Sequence, residues 1–167
     1  MTSSAVDTTD LQSQSIYGGE GGWYNILESV STGSLPHSEA LSLARRGRQA
    51  NADVCWALPV AMVYWLEKRY SEALEALLEP SVIEGCKSLW YYHNLVGMTS
   101  RQIEGELSRA ADAFEQSVAL DPNRPDTLYN YANLLKDDEP ERAIELYKRS
   151  LSIDSSAASA WHNYGST

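Results

Sequence analysis

The chain is poor in phenylalanine, cysteine and positive charge, and each shortage removes a class of function. Only 1 of its 167 residues is Phe, against 10 Tyr and 5 Trp, so most of the aromatic surface carries a polar edge able to face water or a ligand. Lys and Arg number 13 against 23 Asp and Glu, giving a formal charge of -10. Nucleic-acid binding is thereby disfavoured, because neutralising phosphates takes clustered cations. The single basic cluster, Arg45, Arg46 and Arg48, is short and reads as cations near a helix C-terminus. Cys55 and Cys86 lack CxxC spacing, which fits buried reduced thiols and neither a metal site nor a disulfide. No Lys or Arg precedes Arg45 and no long apolar run occurs, so a secretory leader and a membrane span are not expected. A cytoplasmic protein without membrane or nucleic-acid partners is the expectation.

Residues 1–22 are rich in Ser, Thr and Gln and finish on "YGGEGG", too little apolar content to offset the entropy of ordering. They are expected to form a disordered tail. The glycines do not make a phosphate loop, because no strand precedes them and no G-x-x-x-x-G-K-[ST] follows.

From Trp23 the pattern is helical and repeats. "RAADAFEQSVALDP" (109–122) lies over "RAIELYKRSLSIDS" (142–155), with Ala110 and Ala143, Phe114 and Tyr147, and Ser117 and Ser150 each 33 residues apart. "RYSEALEALLE" (69–79) has the same form, and "SEALSLARR" (38–46) is a weaker copy. A small residue followed four later by a large apolar one sets a notch and a knob on one helix face, where a neighbouring helix can approach closely. Each such trailing helix follows an aromatic-rich leading segment: "NADVCWALPVAMVYWLEK", "SLWYYHNLVGMTSRQ", "PDTLYNYANLLKD" and finally "AASAWHNYGST". A 33-residue period of this kind means stacked supersecondary units.

"W-x-N-x-G" in a leading helix with "A-x-x-x-F/Y-x-x-A/S-x-x-x-D-P" in a trailing one resembles the tetratricopeptide repeat. The resemblance implies an all-α fold, a right-handed α-α superhelix (TPR solenoid) of helix-turn-helix repeats. It places a degenerate repeat at 23–50, repeats at about 53–86, 87–122 and 123–155, and a partial repeat at 156–167. The unit at 87–122 carries two extra residues in or after its first helix. Pro59 falls inside a leading segment, so that helix either starts late, with Pro59 in its first turn, or kinks. Irregular geometry is expected there and over 80–86.

Chemistry is thinly represented. His37, His93 and His162 lie in separate units without a nucleophile, an acid pair or metal-ligand spacing, so no catalytic residue, metal or cofactor is expected. The asparagines of the leading helices are more informative: Asn94, Asn130 and Asn163, with Asn133 one turn beyond Asn130. An Asn side chain offers one acceptor and a donor pair, so a row of them can hold the N–H and C=O of an extended peptide without reading its side chains. Asn130 and Asn163 are 33 residues apart, whereas Asn94 joins them only if the extra residues of its unit lie after it. The alternative reading is that these asparagines satisfy polar groups between stacked helices.

The leading helices of tetratricopeptide repeats line the concave surface, and the row is similar to the asparagine ladder of O-linked N-acetylglucosamine transferases, which recognises acceptor polypeptide. The resemblance implies a peptide-binding surface of Trp90, His93, Asn94, Tyr129, Asn130, Asn133, His162 and Asn163. The principal expectation is a protein-protein interaction module binding an extended polypeptide on the concave surface, itself not an enzyme and expected to be the N-terminal part of a longer protein. The alternative is the acceptor-recognition region of a transferase of that type. A carboxylate clamp fits poorly, since Lys136 and Arg101 stand at helix ends. The last helix, with Trp161 and Tyr164, opens a repeat without its second helix, which makes self-association a further expectation.

Overall fold

The computed structural model describes residues 22–50, 54–156 and 158–167. Of the tail expected at 1–22, residues 1–21 lie outside them, and Gly22 instead opens the first helix, where it is buried. All the regular structure among the described residues is helical, in two compact units divided between Gly85 and Cys86.

The first unit contains α1 (Gly22–Ser31), α2 (His37–Ala50), a short 3-10 turn (Val54–Trp56), α3 (Ala57–Leu66) and α4 (Tyr70–Leu77). Helix α5 (Pro80–Cys86) carries the chain across the division. Helix α1 buries Ile26, Leu27 and Val30, one stripe of an amphipathic helix. Helix α3 instead buries Ala57, Leu58, Pro59, Ala61, Met62 and Val63, most of its circumference. Pro59 is its third residue, where a backbone N–H would have no intrahelical acceptor, so the helix starts late with Pro59 in its first turn. Ahead of it, Trp56 is buried against α2, and a Cβ on Gly47 would lie 2.4 Å from its ring. Only glycine permits that approach. In α4 the notch and knob, Ala73 and Leu77, are both fully buried. The segment 80–86 departs from a two-helix repeat by forming the extra helix α5.

The second unit contains α6 (Trp90–Ser100), α7 (Leu107–Leu120), α8 (Pro125–Leu135), α9 (Pro140–Ile153) and α10 (Ala158–Ser166). Pro125 and Pro140 each open a helix, a position that needs no N–H. The core gathers Ala110, Phe114, Leu128, Tyr131, Ala132, Ala143 and Tyr147. Phe114 stacks on Tyr131 with ring centroids 5.8 Å apart, and burying such a side chain contributes about 1.5–3 kcal/mol.

The polar residues of the 33-residue pattern close the hairpins. Ser117 Oγ donates to the carbonyl of Trp90 at 2.8 Å, and Ser150 Oγ to that of Pro125 at 2.9 Å. Each buried hydroxyl thereby ties a trailing helix to the start of its leading helix. At the unit ends, Asp121 accepts from the backbone N–H of Asn123 at 3.2 Å and Asp154 from that of Ser156 at 2.9 Å. These Asx turns are the physical content of the Asp that ends each trailing motif.

Candidate functional site

The asparagines belong to the second unit, on α6, α8 and α10. The serine bonds fix their register, because Trp90 and Pro125 play the same part and open helices of equal length, 11 residues each. The extra residues of the α6 repeat therefore lie after Asn94, in a turn covering 101–106 where the next repeat has 136–139. That meets the condition for Asn94 to join the row, yet the register of 35 residues matches Asn94 with Tyr129 and not with Asn130. Helices α8 and α10, by contrast, start 33 residues apart, so Asn130 and Asn163 are true equivalents.

The structure nevertheless joins these side chains. Asn130 Nδ2 donates to Asn94 Oδ1 at 3.4 Å, and Asn94, only 4% exposed, directs its own amide to Met98 Sδ at 3.6 Å. Asn163 Nδ2 donates both to Tyr129 Oη at 3.1 Å and to Asn133 Oδ1 at 2.7 Å. Tyr147 on α9 donates to the same Asn133 oxygen at 2.7 Å. Adjacent leading helices are thus cross-linked amide to amide, the side chain of one position meeting that of the next repeat.

Orientation follows from which valences are used. Asn133 Oδ1 accepts two bonds, leaving Asn133 with its Nδ2 donor pair; Asn163 Nδ2 makes two, leaving its Oδ1 acceptor. Neither remaining group has a partner among the described residues, and neither is a buried orphan, a condition met there only by Ser100 Oγ. One donor group and one acceptor therefore remain on two side chains joined by a 2.7 Å hydrogen bond. Burial pushes the Tyr147 hydroxyl above the usual phenol range, helped by Tyr129 and opposed by the nearby Asn163 amide and the charge of Arg101, so it stays a neutral donor.

The other expected residues have diverse settings. Trp90 is half-buried beneath the Arg124 guanidinium, 4.3 Å from its ring centre, and Arg124 is held in turn by Asp121 at 2.7 Å. His93 Nε2 donates to the Lys87 carbonyl at 2.9 Å, turning that ring toward the helix start. His162 is exposed on α10, and His37 lies in the first unit with Nδ1 3.3 Å from Glu67. The three histidines share no partner, and the described residues hold no cluster of metal-ligating side chains. No helix among them is long and apolar enough to cross a membrane.

Tyr147 was not among the expected residues. Its signal was the Tyr standing where the preceding repeat has Phe114, an added hydroxyl at a core position that has to find a polar partner.

No family model and no characterised protein sequence matches the chain. Solved structures do. A crystal structure of MamA, a tetratricopeptide-repeat protein, superposes with a TM-score of 0.65 at 20% identity, covering 83% of this chain and 79% of that one. MamA from Desulfovibrio magneticus RS-1 gives 0.60 at 15% identity, covering 81% and 75%. A further MamA structure, MSR-1 C2, gives 0.56 at 18% identity, covering 89% and 86%. The fold is the all-α helix-turn-helix repeat of the tetratricopeptide kind.

Proposed function

We propose that the chain is a protein-interaction module whose second unit binds an extended polypeptide along α6, α8 and α10, chiefly by its backbone. The observation that carries this reading is the Asn133 and Asn163 pair, whose mutual bond leaves one donor group and one acceptor on adjoining side chains. A peptide's C=O and N–H alternate in the same way, and each such bond is worth about 0.5–1.5 kcal/mol net. Asn130, with its Oδ1 unused among the described residues, extends the row toward Asn94. The cross-links also hold the amides in place before binding, which lowers the ordering cost of the complex.

A fluorescent extended-peptide library, screened by anisotropy against the whole chain, tests this. A selected peptide should bind at least tenfold more weakly to Asn133→Ala, and N-methylating its backbone at the contact should weaken it similarly. Equal affinity for both proteins, or indifference to N-methylation, would remove the backbone reading. The narrower role, acceptor recognition for an O-linked N-acetylglucosamine transferase-like enzyme, uses the same row and requires a sugar-nucleotide domain encoded beyond Thr167. Self-association would run through α10, where Trp161 is 52% exposed, and sedimentation across a concentration series tests it.

A further inference from the structure

The first unit contains a groove of its own, away from the asparagines. Its walls are Ala44, Arg45 and Arg48 of α2, Ala76 of α4 and Glu79 in the turn after α4, and its floor is Trp56 and α3. It encloses about 260 Å³, with Ala57 and Val60 contributing apolar surface. Small-molecule and cofactor pockets run to about 300–1,000 Å³, so this space suits one aliphatic side chain of a docked segment.

Its charge is unusual for so acidic a chain. Arg45 is exposed and has no carboxylate partner among the described residues. Arg48 reaches Glu79 only at 3.8 Å, with the two side chains 58% and 48% exposed, a weak pair readily exchanged. The second unit has a groove of the same build, about 390 Å³, between α7 and α9 over Tyr131. There the cations are already engaged: Arg142 is held by Glu115 at 2.7 Å and Glu139 at 3.4 Å, and Arg149 donates to the Pro122 carbonyl at 2.7 Å. An acidic ligand would have to break those bonds in the second groove and none at Arg45 in the first.

We infer that the α2 and α4 groove is a docking site for an acidic amphipathic segment of a partner protein. A Leu or Ile side chain fills the space over Ala57 and Val60, and a neighbouring carboxylate pairs with Arg45 and draws Arg48 from Glu79. This basic cluster is therefore a recognition element and not only a complement to the α2 dipole, in whose last turn Arg48 alone lies.

The test uses the whole chain, isotope-labelled, with three capped heptapeptides: Glu-Glu-Leu-Leu-Glu-Glu-Leu, the same peptide with Lys for Glu, and the same with Ser for Leu. The acidic leucine peptide should shift the amide resonances of Ala57, Val60 and Ala76, and the other two should not. Arg45→Glu, an exposed change that leaves the fold intact by circular dichroism, should weaken binding at least tenfold, while Asn133→Ala should leave it unchanged. Equal shifts of the Ala57, Val60 and Ala76 resonances with the lysine peptide, undiminished shifts in Arg45→Glu, or no such shifts at millimolar peptide would each overturn the proposal. Binding that emerges only after Asp7, Asp10 and Glu20 are changed to amides would assign the groove to this chain's own acidic N-terminal segment, and would overturn it too.

Discussion

Helices α3 and α8 hold the same place in their hairpins and bury different things. Helix α3 carries Leu58, Ala61, Met62 and Val63 into the core of the first unit and presents no asparagine. Helix α8 buries Leu128, Tyr131, Ala132 and Leu135 on one side and leaves Asn130 and Asn133 on the other. The first helix serves packing on nearly every face, whereas the second divides its circumference between a core and a polar row. The backbone-binding row proposed above accordingly lies on the second unit, and the first offers an apolar groove with cations at its rim.

If the units share one hairpin design, their knobs must matter equally, and this is the largest effect expected. Leu77→Ala should cost about 2–5 kcal/mol and Phe114→Ala about 3–5 kcal/mol, measured by urea unfolding, because both side chains are fully buried. A negligible cost at Leu77 would break the comparison, showing that α4 is not a true counterpart of α7.

The glycine contacts sharpen it. A Cβ at Gly47 would fall 2.4 Å from the Trp56 ring and one at Gly97 2.8 Å from the Phe114 ring. Each unit thus uses a glycine to admit an aromatic knob, though from α2 in the first and from the leading helix α6 in the second. Gly47→Ala and Gly97→Ala should each cost about 1–3 kcal/mol through overpacking, Gly47→Ala the more. A reversed order in melting temperature would mean that Trp56 shifts more easily than Phe114.

The smallest effect concerns the cations of the second groove. Hydrogen bonds from Arg142, then from Tyr131, hold the Glu115 carboxyl below the usual carboxylate range. A depressed folded-state pKa contributes stability that is complete above the unfolded pKa and lost as pH falls through the folded one. Glu115 is 52% exposed, so the contribution is screened to below about 1 kcal/mol. Glu115→Gln should therefore unfold slightly more easily than the parent at pH 7, and the gap should close as pH falls below about 4. The same change leaves Arg142 paired only with Glu139 at 3.4 Å, which should let the second groove take up the acidic leucine peptide weakly.

Much of the fold was legible because it is written locally. The notch and knob of Ala110 and Phe114, the serines at 117 and 150 and the Asx turns at Asp121 and Asp154 recur at a fixed interval, since each hairpin solves the same packing problem. The candidate site was legible only in part. Asn130 and Asn163 share a 33-residue spacing, but Asn94 looked equivalent and stands one position out of register. Its bond to Asn130 depends on how α6 and α8 pack, which the length of the intervening turn decides.

By itself the sequence determined the helical period, the hairpin as the repeating unit and the scarcity of cations, while leaving open whether α3 starts late or kinks at Pro59. These follow from side-chain shape, backbone sterics and composition, properties of neighbours along the chain. Tertiary packing alone decided which amide valences were used between Asn133, Asn163 and Tyr147, and which arginines were neutralised. Those outcomes depend on distances of a few ångströms between residues some 14 to 30 positions apart, and hydrogen bonds and ion pairs are made or missed on that scale.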